Sequence, residues 1–160
     1  MKEIPQKLDA LEREHYFLAE HYEDKGSYEM SYVALWTILE HIMKPIASIG
    51  VKKKLESELL EWVNHVQNPT LGKRPKEIKN FKTEYTATSI PPMTLIEEAI
   101  GELPKLKLLM DSNGKYRRKR NDIAHRAEKL SEASYIAYKE SVLAAVIEVK
   151  QRLSEFEERT

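Results

Sequence analysis

The chain has 160 residues, 41% of them apolar and 32% charged, and its 26 basic and 26 acidic side chains cancel. That length suits one domain with a real core, and the balanced composition lacks the charge excess of a disordered tail and argues against indiscriminate nucleic-acid binding, so any such binding must be local. Cysteine is absent, which rules out disulfides, thiolate nucleophiles and zinc-thiolate sites and fits a reducing compartment.

Met1-Lys2-Glu3-Ile4-Pro5-Gln6-Lys7 has no apolar core of the signal-peptide kind, and no later run approaches the ~18 apolar residues of a membrane span. The expectation is a cytoplasmic protein without membrane contact. Ile4, Leu8, Leu11, His15, Leu18 and Tyr22 recur at three- and four-residue steps, which predicts a first helix over about residues 5–24, ended by Gly26. His15 reads as a histidine at the core edge and His21 as solvated.

Tyr32, Leu35, Trp36, Leu39, Ile42, Met43 and Ile46 form a broad apolar face, predicting a buried central helix that kinks or stops at Pro45, with Gly50 closing the segment. Glu40 lies four residues from Trp36 beside that stripe, and taken by itself is an ordinary helix-surface carboxylate. Val51, Leu55, Leu59, Trp62, Val63 and Val66 mark a third helix, ended by Asn68-Pro69.

Between about 67 and 91 the periodicity fails, and an irregular connection carries Lys73, Arg74, Lys76, Lys79 and Lys82 with Phe81 and Tyr85. Cations interleaved with rings suit a nucleic-acid backbone and its bases, although a solvated loop is the simpler reading. Thr94 and Glu97 read as a capping box opening a short helix. Pro104 interrupts, and Leu103, Leu106, Leu109 and Met110 continue an apolar face to the turn Asp111-Ser112-Asn113-Gly114. Ser131 is placed to cap a long final helix with the stripe Tyr135, Tyr138, Val142, Ala145, Val149 and Phe156. No period-2 strand pattern, repeat or glycine-rich phosphate loop occurs. The fold class is therefore all-α, a bundle of four long helices with one or two short ones.

Chemistry concentrates in residues 115–125. Lys115, Arg117, Arg118, Lys119 and Arg120 put five cations into six positions, and His125 follows five residues after Arg120. Arginine offers a permanent fork of donors to phosphate oxygens, and histidine exchanges protons near neutral pH. On a helix, Tyr116, Ile123, Ala127 and Leu130 share a face with Arg120 in its middle. A guanidinium on such a face needs a partner, and Glu40 is the first candidate; otherwise the face opens into a polar cleft. Asn121 and His125 share a second face.

Arg120-Asn121-Asp122-Ile123-Ala124-His125 resembles the signature of the HEPN superfamily (higher eukaryotes and prokaryotes nucleotide-binding domains), an arginine, usually followed by asparagine, four to six residues before a histidine. Leu35-Trp36-Thr37-Ile38-Leu39-Glu40 is similar to the tryptophan-to-glutamate pattern often found on an early helix of these domains. The resemblance implies a HEPN-like four-helix bundle and a metal-independent endoribonuclease of a defence or toxin-antitoxin system, working without a cofactor as a homodimer with one composite cleft. It implies that Arg120 holds the scissile phosphate, His125 is the general acid or base, Asn121 orients the site and Glu40 supports it. Arg117, Arg118 and Lys119, with Lys73 and Arg74 of the connection, are candidate RNA contacts. A non-catalytic HEPN module that binds RNA or nucleotide and dimerises is the alternative, and a helical nucleic-acid adaptor outside this family is a third reading.

Geometry alone points the same way on assembly. Five residues of helix separate Arg120 and His125 by about 140°, too far for both to reach one phosphate from a single copy, and a two-fold interface would bring in a second copy of each. Many members with the HEPN signature carry a tyrosine two residues after the histidine, the target of a nucleotidyltransferase antitoxin. Ala127 stands there in this chain, so restraint by a bound antitoxin or other regulatory protein, or a stand-alone nuclease, is expected as readily as modification.

Overall fold

The computed structural model describes residues 4–68, 93–111 and 113–159. Their regular elements are all α-helices: α1 Ile4–Lys7, α2 Ala10–Asp24, α3 Tyr28–Gln67, α4 Met93–Ile100, α5 Pro104–Met110, α6 Lys115–Arg126 and α7 Glu132–Glu157. The all-α class is thus as expected. No helix among the described residues is long and apolar enough to cross a membrane. Two compact units divide the chain, one made of the residues up to Ile42 with those from Glu102 onward, the other of Met43–Gly101. Lys73 and Arg74, with nearly all of the 67–91 connection, lie outside the described residues.

The first helix is two pieces, not one. Asp9 is extended and caps α2, accepting from Glu12 N at 2.9 Å while Glu12 Oε2 accepts from Asp9 N at 2.9 Å. This reciprocal box competes successfully with continuing the helix. Arg13 then closes the end of α1 by donating to Pro5 O and Leu8 O. The break shifts the helical phase, so the buried positions are Ile4, Leu8, Glu12, Tyr16 and Ala19, whereas Leu11 and Leu18 are exposed. Glu12 is only 2% exposed, and its charge is matched by Lys150 of α7 at 2.6 Å. Gly26 ends α2 at φ +68°, as expected.

The separate helices expected on either side of Pro45 and Gly50 are one 40-residue helix. An interior proline costs about 3 kcal/mol, but Pro45 is exposed while its neighbours Ile42, Met43, Ile46 and Ala47 are buried. Burying four apolar side chains outweighs one lost backbone bond. Gly50 does not terminate the helix either. A Cβ built on it would lie 1.9 Å from Leu95 O, so its missing side chain lets α4 approach α3 within the second unit. Lys53 Nζ donates to Ala99 O at 2.7 Å near the end of α4. Because α4 already begins at Met93, Thr94 sits inside the helix and not at its cap.

In the first unit, α5 packs on α7 and α6, and α1 on α7. Leu103 and Pro104 begin α5 without a capping side chain, and Glu148 of α7 supplies the acceptor instead, taking Lys105 N at 3.0 Å and Leu106 N at 3.1 Å. Ser131 caps α7 through Ser134 N, and Tyr135, Tyr138, Val142, Ala145 and Val149 are buried as the stripe predicts; Phe156 is half-buried. Tyr32 and Tyr138 stack face to face with centroids 3.4 Å apart. Buried Ser31 and Tyr135 continue into half-buried Glu23 and Lys139 as one polar chain, which satisfies hydroxyls that would otherwise be costly inside the core.

Candidate active site

Two turns bound α6. Asp111 folds its entry, its side chain accepting from Asn113 N at 3.0 Å and its carbonyl from Gly114 N at 2.9 Å. At the exit Ala127 takes the left-handed conformation at φ 50° and its N–H returns to Asp122 O. The helix therefore ends at Arg126, one residue after His125. Leu130, expected on the helix face, is buried beyond its end, where its N–H donates to Glu29 Oε1 at 2.8 Å. Despite partial desolvation, the backbone N–H groups of Leu130 and Glu29 hold the Glu29 carboxyl below its ordinary range. Ala127 is exposed, so it does not belong to the buried face assigned to it.

Ile123 is the buried anchor of α6, and Arg120 lies one turn before it. The Trp36 indole N–H donates to Glu40 Oε1 at 2.8 Å, and the same oxygen lies 3.5 Å from Arg120 Nη2. Their i, i+4 spacing on α3 fixes Glu40 over Trp36, whose indole is buried. The Glu40 side chain is 16% exposed and that of Arg120 28%, so the carboxylate is not an ordinary surface group. Arg120 Nη1 reaches Asn121 Oδ1 at 3.4 Å. Arg120 Nε is buried without a hydrogen-bond partner. Tyr138 sits within the field of this pair. Burial chiefly raises its hydroxyl pKa well above 10, Glu40 adds to the rise, and Arg120 opposes it.

The other cations spread around the helix. Lys119 pairs with Glu128 and Arg126 with Asp122, while Arg118 reaches Asn113 O at 3.4 Å. Arg117 is half-buried, and His125 and Asn121 are exposed. No hydrogen bond or ion pair joins His125 to Arg120 among the described residues. The structure thus brings Trp36, Glu40, Arg120 and Asn121 together and leaves His125 on its own.

Elsewhere Asp9, Glu12 and His41 bring one ligand-type atom each within 4.8 Å of the others. Both carboxylates already serve the capping box, His41 and Lys150, so the cluster is accounted for by folding. Sequence periodicity also missed a cavity of about 370 Å³ beside α6, lined by Tyr32, Tyr116, Tyr138, Lys115 and Lys119 among others. The tyrosines read as stripe residues, and nothing in their spacing signals that the packed rings leave a space between α6 and α7.

Compared with protein-family models, curated proteins and solved structures, the chain matches none of them.

Proposed function

We propose that the chain is a metal-independent endoribonuclease with a HEPN-like helical bundle, cutting RNA through attack by the 2′-hydroxyl. The observation that carries this reading is the held guanidinium: Trp36 fixes Glu40, Glu40 faces Arg120, and an exposed histidine follows five residues later. RNA brings its own nucleophile, so the protein needs only proton transfer and stabilisation of charge on the phosphate. Arg120 is the phosphate-holding residue, His125 the general acid or base, Asn121 the residue that orients Arg120, and Glu40 its support. Arg117, Arg118 and Lys119 supply cations along the same helix for the RNA backbone.

His125 has no orienting partner among the described residues, and a general base works best when one is present. A second copy of α6 across a two-fold axis would provide it, so the working form is a homodimer with a composite cleft. A non-catalytic binding module is favoured by one observation: Glu40 already engages Arg120, as a purely structural ion pair would.

The deciding experiment incubates the purified chain with mixed tRNA and mRNA, with and without chelator, and maps the product ends. Cleavage should persist in chelator and leave 2′,3′-cyclic phosphate and 5′-hydroxyl ends. His125→Ala should lower the rate by about 10²–10⁴ and Arg120→Ala by about 10²–10³. Products ending in 3′-hydroxyl and 5′-phosphate, or loss of cleavage in chelator, would replace this mechanism with metal-activated water. No cleavage of any RNA would leave the binding module.

A further inference from the structure

The cavity beside α6 combines two features that belong to different halves of one ligand. Its walls include the rings of Tyr32, Tyr116 and Tyr138, while Lys115 and Lys119 contribute cations. The tyrosine hydroxyls are engaged within the protein: Tyr32 donates to Tyr116 O at 2.7 Å, Tyr138 to Tyr32 O at 3.2 Å, and Tyr116 shares a hydrogen bond with Ser141 Oγ at 3.1 Å. Tyr32 and Tyr138 are buried, so the ring carbon left for a ligand is that of half-buried Tyr116, held in place before anything binds. Tyr116 and Tyr138 lie 5.8 Å apart at a 44° tilt, and Tyr138 is also stacked on Tyr32, which locks it.

The cations are placed for an anion. Lys115 is exposed in the first turn of α6, near the positive end of the helix dipole, and its Nζ lies 4.7 Å from the Tyr116 ring centroid. Lys119, one turn on, is paired with Glu128, a carboxylate that an incoming phosphate would displace. At about 370 Å³ the space falls at the small end of ligand sites. Aromatic walls accept any base through its π-face, and lysines accept its phosphate.

We propose that this cavity is a nucleotide subsite, taking one nucleobase against the half-buried Tyr116 ring, with the buried Tyr32–Tyr138 stack behind it and its phosphate on Lys115 and Lys119. Its assignment to a nucleotide unit of an RNA substrate rests on the ribonuclease reading above; the recognition chemistry does not depend on His125. Tyr138 links the two places, since its ring lines the cavity and its hydroxyl lies in the field of Glu40 and Arg120. A base seated here would set which nucleotide lies next to the cleavage position.

The test titrates the full chain carrying His125→Ala with AMP, GMP, CMP, UMP and inorganic phosphate by calorimetry. At least one nucleotide should bind, and inorganic phosphate more weakly by about tenfold or more, the step that ~1.4 kcal/mol of stacking gives. Lys115→Ala should weaken the nucleotide about tenfold. Ala137→Phe, which fills the cavity from an exposed helix position, should abolish binding while the circular dichroism melt stays unchanged; Ala133→Leu is the second filling variant should that melt shift. Nucleotide binding that survives both fillings, or no binding at millimolar concentration, overturns the subsite. RNA cleavage by the unsubstituted chain that Ala137→Phe leaves unaltered in rate and sequence preference also overturns it, with the nuclease intact. Nucleotide binding lost on filling, in a chain that cuts no RNA, supports the subsite and removes the nuclease.

Discussion

Glu40 is where stability and the candidate site meet, and three substitutions separate its contributions. At 3.5 Å from Arg120, with both side chains largely buried, the gross attraction is ~5 kcal/mol at an effective dielectric of 20. Desolvation of the two groups offsets most of that, which leaves a coupling of about 1–2 kcal/mol. Glu40→Gln keeps an acceptor for the Trp36 indole and loses only the charge, so it should cost about 1 kcal/mol. Glu40→Ala also strands the buried indole N–H and the guanidinium, and should cost about 2–4 kcal/mol. Arg120→Met leaves Glu40 still bonded to Trp36 and should cost about 1 kcal/mol. Urea denaturation followed by circular dichroism measures each variant and the Glu40→Ala, Arg120→Met double variant. If the two single effects simply add, or if Glu40→Ala costs less than about 0.5 kcal/mol, the pair does not hold Arg120 and the support assigned to Glu40 falls.

Gly50→Ala normally improves a helix interior, but here the methyl would enter the Leu95 backbone, so thermal and urea melts should show a loss of about 2–4 kcal/mol. Ala127→Gly should have the opposite sign from helix propensity: it relieves the left-handed conformation at φ 50° and should stabilise by about 1 kcal/mol in the same melts. Burial first, then Glu20, pushes the Tyr16 pKa up to about 12, and burial also raises those of Tyr32, Tyr135 and Tyr138. Because ionisation then favours the unfolded chain, this stability is fully present below the ordinary tyrosine value and is lost as the pH climbs above about 10. The part of the tyrosinate absorbance that belongs to these four of the eight tyrosines should therefore appear only as the circular dichroism is lost, and ionisation of all eight in a still-folded chain would contradict the burial.

The stripes of α3 and α7 were legible because their burial follows the helical period without a break, from Tyr32 to Ile46 and from Tyr135 to Val149. Leu11 and Leu18 misled because Asp9 and Glu12 restart the helix, and a capping box beginning five residues after Ile4 changes which face points inward. Pro45 and Gly50 misled for a different reason. Both are helix punctuation by local propensity, and in each case contacts distant in sequence outweigh it. Glu40 was legible only jointly, since nothing about it is unusual until Arg120 needs a partner. The cavity was not legible at all, being a gap between rings that were each expected in the core.

The site has an unequal design. Arg120 is held through Glu40 by a buried indole and keeps one buried donor unpaired, whereas His125 stands exposed in the last turn before the chain leaves the helix. A phosphate-holding group benefits from being fixed before the substrate arrives, because no reorganisation is then needed when charge develops. A proton-transfer group benefits from fixation too, yet nothing described in one copy supplies it. The turn at Ala127 ends α6 just past the histidine, so α6 has no further turn there to carry an orienting side chain. On the ribonuclease reading proposed above, whatever fixes His125 would come from outside this stretch, either from the RNA itself or from a second α6. A partner copy, if the proposed dimer forms, would arrive with its own held guanidinium and place a fixed cation beside an imidazole that its own helix keeps about 140° from Arg120.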